Sequence, residues 1–381
     1  MAQISFSQLS ELYDQLKNQE VTIADVENIN DVDEMGCTLL HWAADDGNEE
    51  VVRLLLNHKS LNVNAFNKFG GTALQWAADK GHKKVVELLL NHKNISVNFA
   101  NNSGNTALHL AVFKGHTEIV WLLLNHKDIS VNTINKFGKI ALHEAIKIGH
   151  ERIVKLLLNH KNINVNIADN AKNIALHLAA RMNRKKAVEL LLNHKNVNVN
   201  AYNNQDNTAL HLATANNHEE IAELLLNHKN VNVNAYNNRG NTALHLAAFM
   251  GYKKVAELLL NHKNIDVNVP NNVGDTALYL AFRSGEKDIA NALKEAGGNH
   301  YSTQQKALVF IFYCTVYMLV GVMVFSIAVV EITLLSIVSS VAIAITAALV
   351  TSYALLESLK PSTGVDNIQR VDSYESEIIS L

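Results

Sequence analysis

Apolar residues return along the chain in a fixed order: a short run at helical spacing, a polar break, a second helical run, then an alternating stretch rich in Asn. Marking the second residue of CTLLHWAA, GTALQWAA, NTALHLAV, KIALHEAI, NIALHLAA, NTALHLAT, NTALHLAA and DTALYLAF gives positions 38, 72, 106, 140, 174, 208, 242 and 276, a uniform step of 34. Thr at that place is a good N-cap, and the Leu and Ala after it are strong helix formers whose small side chains suit close packing. Gly47, Gly81, Gly115, Gly149, Gly251 and Gly285 then recur at one place, filled by Asn183 and Asn217 in the remaining units. Gly and Asn tolerate the left-handed conformation that ends a helix. A second helix follows, with an apolar stripe such as Val51, Val52, Leu54, Leu55 and Leu56. Stretches such as NVNVNAYNNRGN, alternating and then rich in Asn and Gly, predict a hairpin-like loop.

No unit of this size buries its own apolar face, so the stack is what folds, and its ends need caps. Residues 1–36 are expected to form an N-terminal capping region, with Phe6, Leu9, Leu12 and Leu16 on one helical face. Eight repeats fill 37–298, and the last ends in the more polar GEKDIANALKEAGG, which suits a C-terminal cap. A period of 34 also fits tetratricopeptide repeats, but the Trp/Leu-Gly/Tyr pattern of that family is absent. The T-A-L-H-x-A core resembles ankyrin repeats, in register in every unit over about residues 5–298. That resemblance implies an all-α solenoid of helix–turn–helix units, a protein-binding scaffold rather than an enzyme, and a signature His that hydrogen-bonds between neighbouring repeats. Leu or Ala stands where the family motif has Pro, and LLLNHKNINVN carries one residue more than the common form. Ile140 and Ile174 replace the capping Thr, and Lys172 and Asp206 replace the loop Gly, so the fourth to sixth units are expected to be the softest.

The resemblance also implies where a partner binds: loop tips and the ends of the first helices face a groove, while the repeated residues hold the scaffold. The informative positions are therefore those that vary between units. At the helix ends these are Lys80, Phe113, Lys114, Ile148, Arg181, Met182, Phe249 and Met250, and at the loop tips Phe69, Phe137 and Arg239. Aromatic, Met and Arg side chains are the types enriched at protein interfaces.

The pattern changes after residue 306. A linker (299–306) leads to residues 307–330 and 332–356, two uncharged apolar runs separated by Glu331. Each run as a helix would measure about 36 Å, enough for a hydrocarbon core of about 30 Å. A transmembrane helical hairpin with Glu331 at the far interface is expected, since a carboxylate at mid-bilayer is costly. Lys306 and Lys360 flank it, which places the repeats and both ends on the cytoplasmic side of a multi-pass membrane protein. Ser336, Ser340, Ala344, Ala348 and Ser352 give the second helix a small-residue face for close packing. The tail, 357–381, is polar.

Composition narrows the chemistry. Residues 1–50 carry twelve acids and one lysine, and residues 51–300 carry 29 Lys and Arg against 18 acids, so the two charges cancel. A nucleic-acid partner is not expected from that balance. Eighteen histidines invite a metal, but seven sit in LLLNH, six in the signature and four after the inter-helix Gly or Asn, leaving only His300. Repetition at fixed places points to structural roles, and no Cys accompanies them at zinc spacing. Cys37 and Cys314 are the only cysteines, which excludes a disulfide framework. With no phosphate loop, nucleophile elbow or H-E-x-x-H, the expectation is no catalytic residue, cofactor, metal or small-molecule substrate. Leu260 to Asn268, with Asp266 between, resembles the substrate motif of the asparaginyl hydroxylase that modifies ankyrin loops, making Asn268 a modification candidate.

The expected function is a membrane-anchored scaffold that takes a protein partner in the groove and a lipid bilayer through 307–356. The heavy use of Asn, Lys and Ile in near-identical repeats resembles ankyrin proteins of host-associated intracellular bacteria, which implies an effector acting on host proteins at a membrane. The alternative is a regulatory or channel-like membrane component with the repeats as its sensing arm.

Overall fold

Each signature segment nucleates a short helix, and the apolar segment after it a second one. The computed structural model describes residues 4–23, 26, 28–299, 311–319, 344, 345, 347 and 348. The expected membrane hairpin and the polar tail fall almost entirely outside them. No helix among the described residues is long and apolar enough to cross a membrane.

Helix α1 (Phe6–Lys17) precedes eight helix pairs. The first four are α2 (Leu39–Asp46) with α3 (Glu49–Leu56), α4 (Ala73–Lys80) with α5 (Lys83–Leu90), α6 (Ala107–Lys114) with α7 (Thr117–Leu124), and α8 (Ala141–Ile148) with α9 (Glu151–Leu158). The others are α10 (Ala175–Arg181) with α11 (Lys185–Leu192), α12 (Ala209–Ala215) with α13 (Glu219–Leu226), α14 (Ala243–Met250) with α15 (Lys253–Leu260), and α16 (Ala277–Arg283) with α17 (Lys287–Glu295). The chain divides into two compact units, one of Met1–Ala209 and Glu223–Val231, the other of Leu210–Ala222 and Asn232–Leu381.

In the first unit, α2, α4, α6, α8 and α10 pack side by side as one layer, and α3, α5, α7, α9 and α11 as another. The layers meet over residues that the repeat keeps small. Ala43, Ala77, Ala111, Ala145 and Ala179 are fully buried, as are Val52, Val86, Val120, Val154 and Val188 from the second helices. α1 closes the first end with Leu9, Tyr13 and Leu16. The buried face is therefore rotated from the expected one: Tyr13 replaces Leu12 in the core, and Phe6, though exposed, lies 4.6 Å from the Trp42 ring. Tyr13 donates to Asp46 at 2.9 Å, and Lys17 pairs with the same carboxylate at 2.8 Å. Those bonds, that of Lys17 first, hold the Asp46 carboxyl below its usual range. In the second unit α14 packs on α15 and α16, and α17 closes the end with Ile289, Ala290 and Leu293.

The signature His ties one repeat to the next. In the third repeat, His109 Nδ1 accepts the Thr106 hydroxyl at 2.9 Å and its N–H at 3.3 Å, while Nε2–H donates to the Lys139 carbonyl of the following repeat at 3.0 Å. His41, His177, His211 and His245 reach the equivalent carbonyls of Gly71, Asn207, Asn241 and Asp275 at 2.9–3.1 Å. Ile140 and Ile174 have no hydroxyl to offer, yet both are buried and their N–H groups still bond to His143 and His177. Apolar burial and the His together take over from the missing Thr. The histidines after the inter-helix Gly work the other way: His82 and His116 donate to the Asp45 and Asp79 carbonyls at the end of the preceding repeat's first helix. Arg184 stands at the same place and caps α8 by donating to the Ile146, Lys147 and Ile148 carbonyls.

Among the described residues there is no β-strand, only a bridge between Phe66 and Thr72. The loops are ordered by Asn instead. Asn64 Nδ2 donates to the Asn94 carbonyl of the next repeat at 2.6 Å, and its Oδ1 accepts the Ser96 N–H at 2.8 Å. Asn98, Asn132, Asn166, Asn234 and Asn268 clamp their neighbours in the same two-bond way.

Lys172 and Asp206 take φ of 57° and 55°, at the loop position where the other units have Gly between 72° and 88°. A side chain in that region costs about 1–2 kcal/mol per residue. Lys172→Gly and Asp206→Gly are each expected to stabilise the protein by about 1 kcal/mol, a balance between relieved strain and the greater freedom of an unfolded Gly. A rise in the urea midpoint at unchanged slope would show it, and a fall would mean that these side chains make contacts worth more than the strain.

Candidate protein-binding surface

Each loop tip is built around one polar side chain, buried in six of the eight tips and half-buried at Asn101 and Asp169. In the second repeat Asn67 Oδ1 accepts the N–H groups of Phe69 and Gly71 at 3.0 and 2.9 Å, and the Gly70 N–H closes the turn on the Asn67 carbonyl at 2.9 Å. Asp33, Asn101, Asn135, Asp169, Asn203, Asn237 and Asn271 make the same pair of bonds in their own units. The side chain replaces the ladder of a true hairpin, as Asx turns do.

Tips are also joined to each other. Asn102 donates its N–H to the Phe69 carbonyl and its Nδ2 to the Lys68 carbonyl, both at 2.9 Å. Lys136 N–H reaches the Ser103 carbonyl at 3.1 Å, and Asn170 grips the Phe137 and Lys136 carbonyls at 3.0 Å each. The backbone of tips two to five in the first unit is therefore fixed, while the side chains between those bonds face solvent.

Phe69 and Phe137, expected at tips, are 60% and 63% exposed. Beside them stand two apolar residues that the sequence reading did not single out, Phe66 at 68% and Ile134 at 55%. At the helix ends Phe113 is 56% exposed and Ile148 37%. Lys80 pairs with Asp45 at 3.2 Å, and Lys114 pairs with Asp79 at 3.8 Å and covers the Phe113 ring at 5.9 Å. Exposed pairs of this kind add about 0–1 kcal/mol, so they orient side chains more than they stabilise the fold. Arg181 and Met182 in the first unit, and Arg239, Phe249 and Met250 in the second, are half-buried. Tyr236 and Val273 are the most exposed apolar side chains of the loops in the second unit. A bulky apolar residue three places before the tip, where three other units have Ala or Pro, was the available signal for Phe66, Ile134, Tyr202 and Tyr236.

Asn268, the modification candidate, lies in the loop clamp: its amide donates to the Gly297 carbonyl at 3.1 Å and accepts the Asn299 N–H at 2.8 Å. Among the described residues no group of three His, Cys, Asp or Glu side chains is placed to hold a metal. Cys37 is buried, and burial pushes its thiol pKa up.

A family model of ankyrin repeats matches the chain in overlapping windows that run from residue 7 to residue 305. The chain belongs to the ankyrin-repeat family, whose repeats are protein–protein interaction modules and generally not enzymes. No curated protein matches it.

Proposed function

We propose that the protein is a membrane-tethered scaffold that binds a protein partner through its loop tips and first-helix ends. The observation that carries this reading is the contrast between backbone and side chains at the tips. The tips at Asn67 and Asn135 are each tied down by a buried Asn, yet Phe66, Phe69, Ile134 and Phe137 are left in water. Apolar side chains held rigidly in solvent cost little ordering entropy on binding, which suits anchors of an interface. The uncharged runs at 307–330 and 332–356 support the tether from sequence, as does the length each would have as a helix. The effector role rests on composition alone and extends this reading to a host membrane.

The test places a photo-crosslinking residue at position 103, between the two Phe-bearing tips, in the full chain expressed with its membrane segment. A defined crosslinked partner is expected, and it should be lost when Phe69, Phe113, Phe137 and Ile148 become Ser while the circular dichroism stays unchanged. A partner equally retained by that variant would move recognition to another face. Extraction of the full chain from membranes by alkali would remove the tether from the proposal.

A further inference from the structure

The tetrapeptide Asn-Lys-Phe-Gly occurs at 67–70 and again at 135–138, two units apart, with the small polar Asn102 and Ser103 at the tip between. Both copies have the same geometry. Asn67 and Asn135 fix the turns, and Asn102 and Asn170 hold the Lys–Phe carbonyls from the following tip. Each copy presents one Phe, a second apolar residue three places earlier (Phe66 or Ile134) and one Lys. Among the described residues no carboxylate pairs with Lys68 or Lys136, in contrast to Lys80 and Lys114. The surface is thus two equivalent cationic–aromatic sites on one rigid edge.

We propose that these tips form a bidentate receptor for an extended acidic peptide segment of a partner protein, each tip taking one apolar–acidic pair. The proposal rests on the scaffold reading above and names the chemistry of its ligand. Packed helices stand about 8–10 Å apart, so tips two repeats apart are separated by about 16–20 Å. An extended chain rising about 3.3 Å per residue covers that distance in about five or six residues. Side chains alternate faces along such a chain, so an even separation puts both anchors toward the receptor and an odd one turns the second away. Both members of a pair must face the same tip, so the favoured ligand carries apolar–x–acidic pairs about six residues apart. A free Lys beside each Phe selects the acidic partner, because a basic segment would meet like charge at both sites.

The test uses fluorescent synthetic peptides and the full chain in detergent. One peptide carries two Leu-x-Glu pairs about six residues apart, a second about seven apart, and a third a single pair; anisotropy reads the affinity. The first is expected to bind at least about tenfold more tightly than the other two, as an intramolecular second contact requires. Phe69→Ser or Phe137→Ser should each reduce it to the level of the single pair. Lys68→Glu with Lys136→Glu should turn the preference toward peptides with Lys in place of Glu. Equal affinity for all three peptides, no binding by any, or Phe variants that bind as before would each overturn the bidentate receptor. If the crosslinked partner at position 103 persists in that case, only the ligand chemistry fails; if it is also absent, the scaffold reading fails with it.

Discussion

Lowering the pH from about 7 to about 4 is expected to remove several kcal/mol of stability, because buried signature histidines cannot take up the protons that the unfolded chain accepts. Burial pushes the pKa of His245 from 6.5 down to about 4, opposed by its bonds to backbone carbonyls. His41, His109, His143 and His177 are lowered by the same cause. Their Nδ1 atoms accept hydrogen bonds in the folded state, so protonation there would break the cap as well as charge the core. The sign follows from the proton count. Below 6.5 the unfolded state binds more protons than the folded one, so stability rises with pH across that window and is lost as pH falls toward the folded value. For His245 alone the full loss is about 3 kcal/mol. Urea midpoints measured between about pH 7 and pH 4.5 would follow the decline above the range in which most carboxylates titrate. The control is provided by the second repeat, where Gln75 occupies the signature position and donates to the Phe99 and Asn105 carbonyls at 2.7 and 2.9 Å. His245→Gln should flatten part of the pH slope, and an unchanged slope would show that other groups cause it.

The second large effect belongs to the tip asparagines. Asn135→Ala deletes the acceptor for the Phe137 and Lys139 N–H groups and the donor that reaches Asn105 Oδ1 at 3.0 Å. Asn135 is only 7% exposed, so water cannot readily replace those partners. Three lost bonds at about 1 kcal/mol each predict a destabilisation of about 3 kcal/mol. Asn135→Asp should cost less than half of that, because Asp33 and Asp169 already hold the equivalent pair of N–H groups in their own tips. Chemical denaturation of both variants gives the comparison. Equal losses for Ala and Asp would place the energy in the Asn105 contact rather than in the turn.

The repeat and its helices could be read directly from residues, because Thr at the helix start, Gly or Asn at its end and the step between units are local signals. The inter-repeat role of the signature His also followed, through the family resemblance. Other features depend on what the neighbouring unit supplies. Asn67 and Asn135 look like ordinary loop residues until their side chains are seen to replace a hairpin ladder. Leu12 and Tyr13 are adjacent, and only the angle at which α1 meets α2 and α3 decides that Tyr13 goes inward. The same limit applies to the surface. Phe113 and Phe249 occupy equivalent places at the end of a first helix, yet one stands in solvent and the other is half-buried. Lys114 covers the face of Phe113, with Asp79 at its other side. The helices themselves differ at the last residue, Lys114 against Met250, but Asp79, which pairs with Lys114, comes from the preceding repeat.

The loop clamp has a consequence for how such a chain can change in length. Asn64 and Asn132 each reach a carbonyl 30 residues ahead and an N–H 32 residues ahead, so the amide measures the distance to its neighbour in whole units. An insertion or deletion of a few residues before the next loop would carry both partners out of reach. Gain or loss of an entire unit leaves every clamp with an equivalent partner. Lineages of this protein are therefore expected to differ by integral numbers of repeats, growing and shrinking by duplication and excision, while the length within a repeat stays fixed.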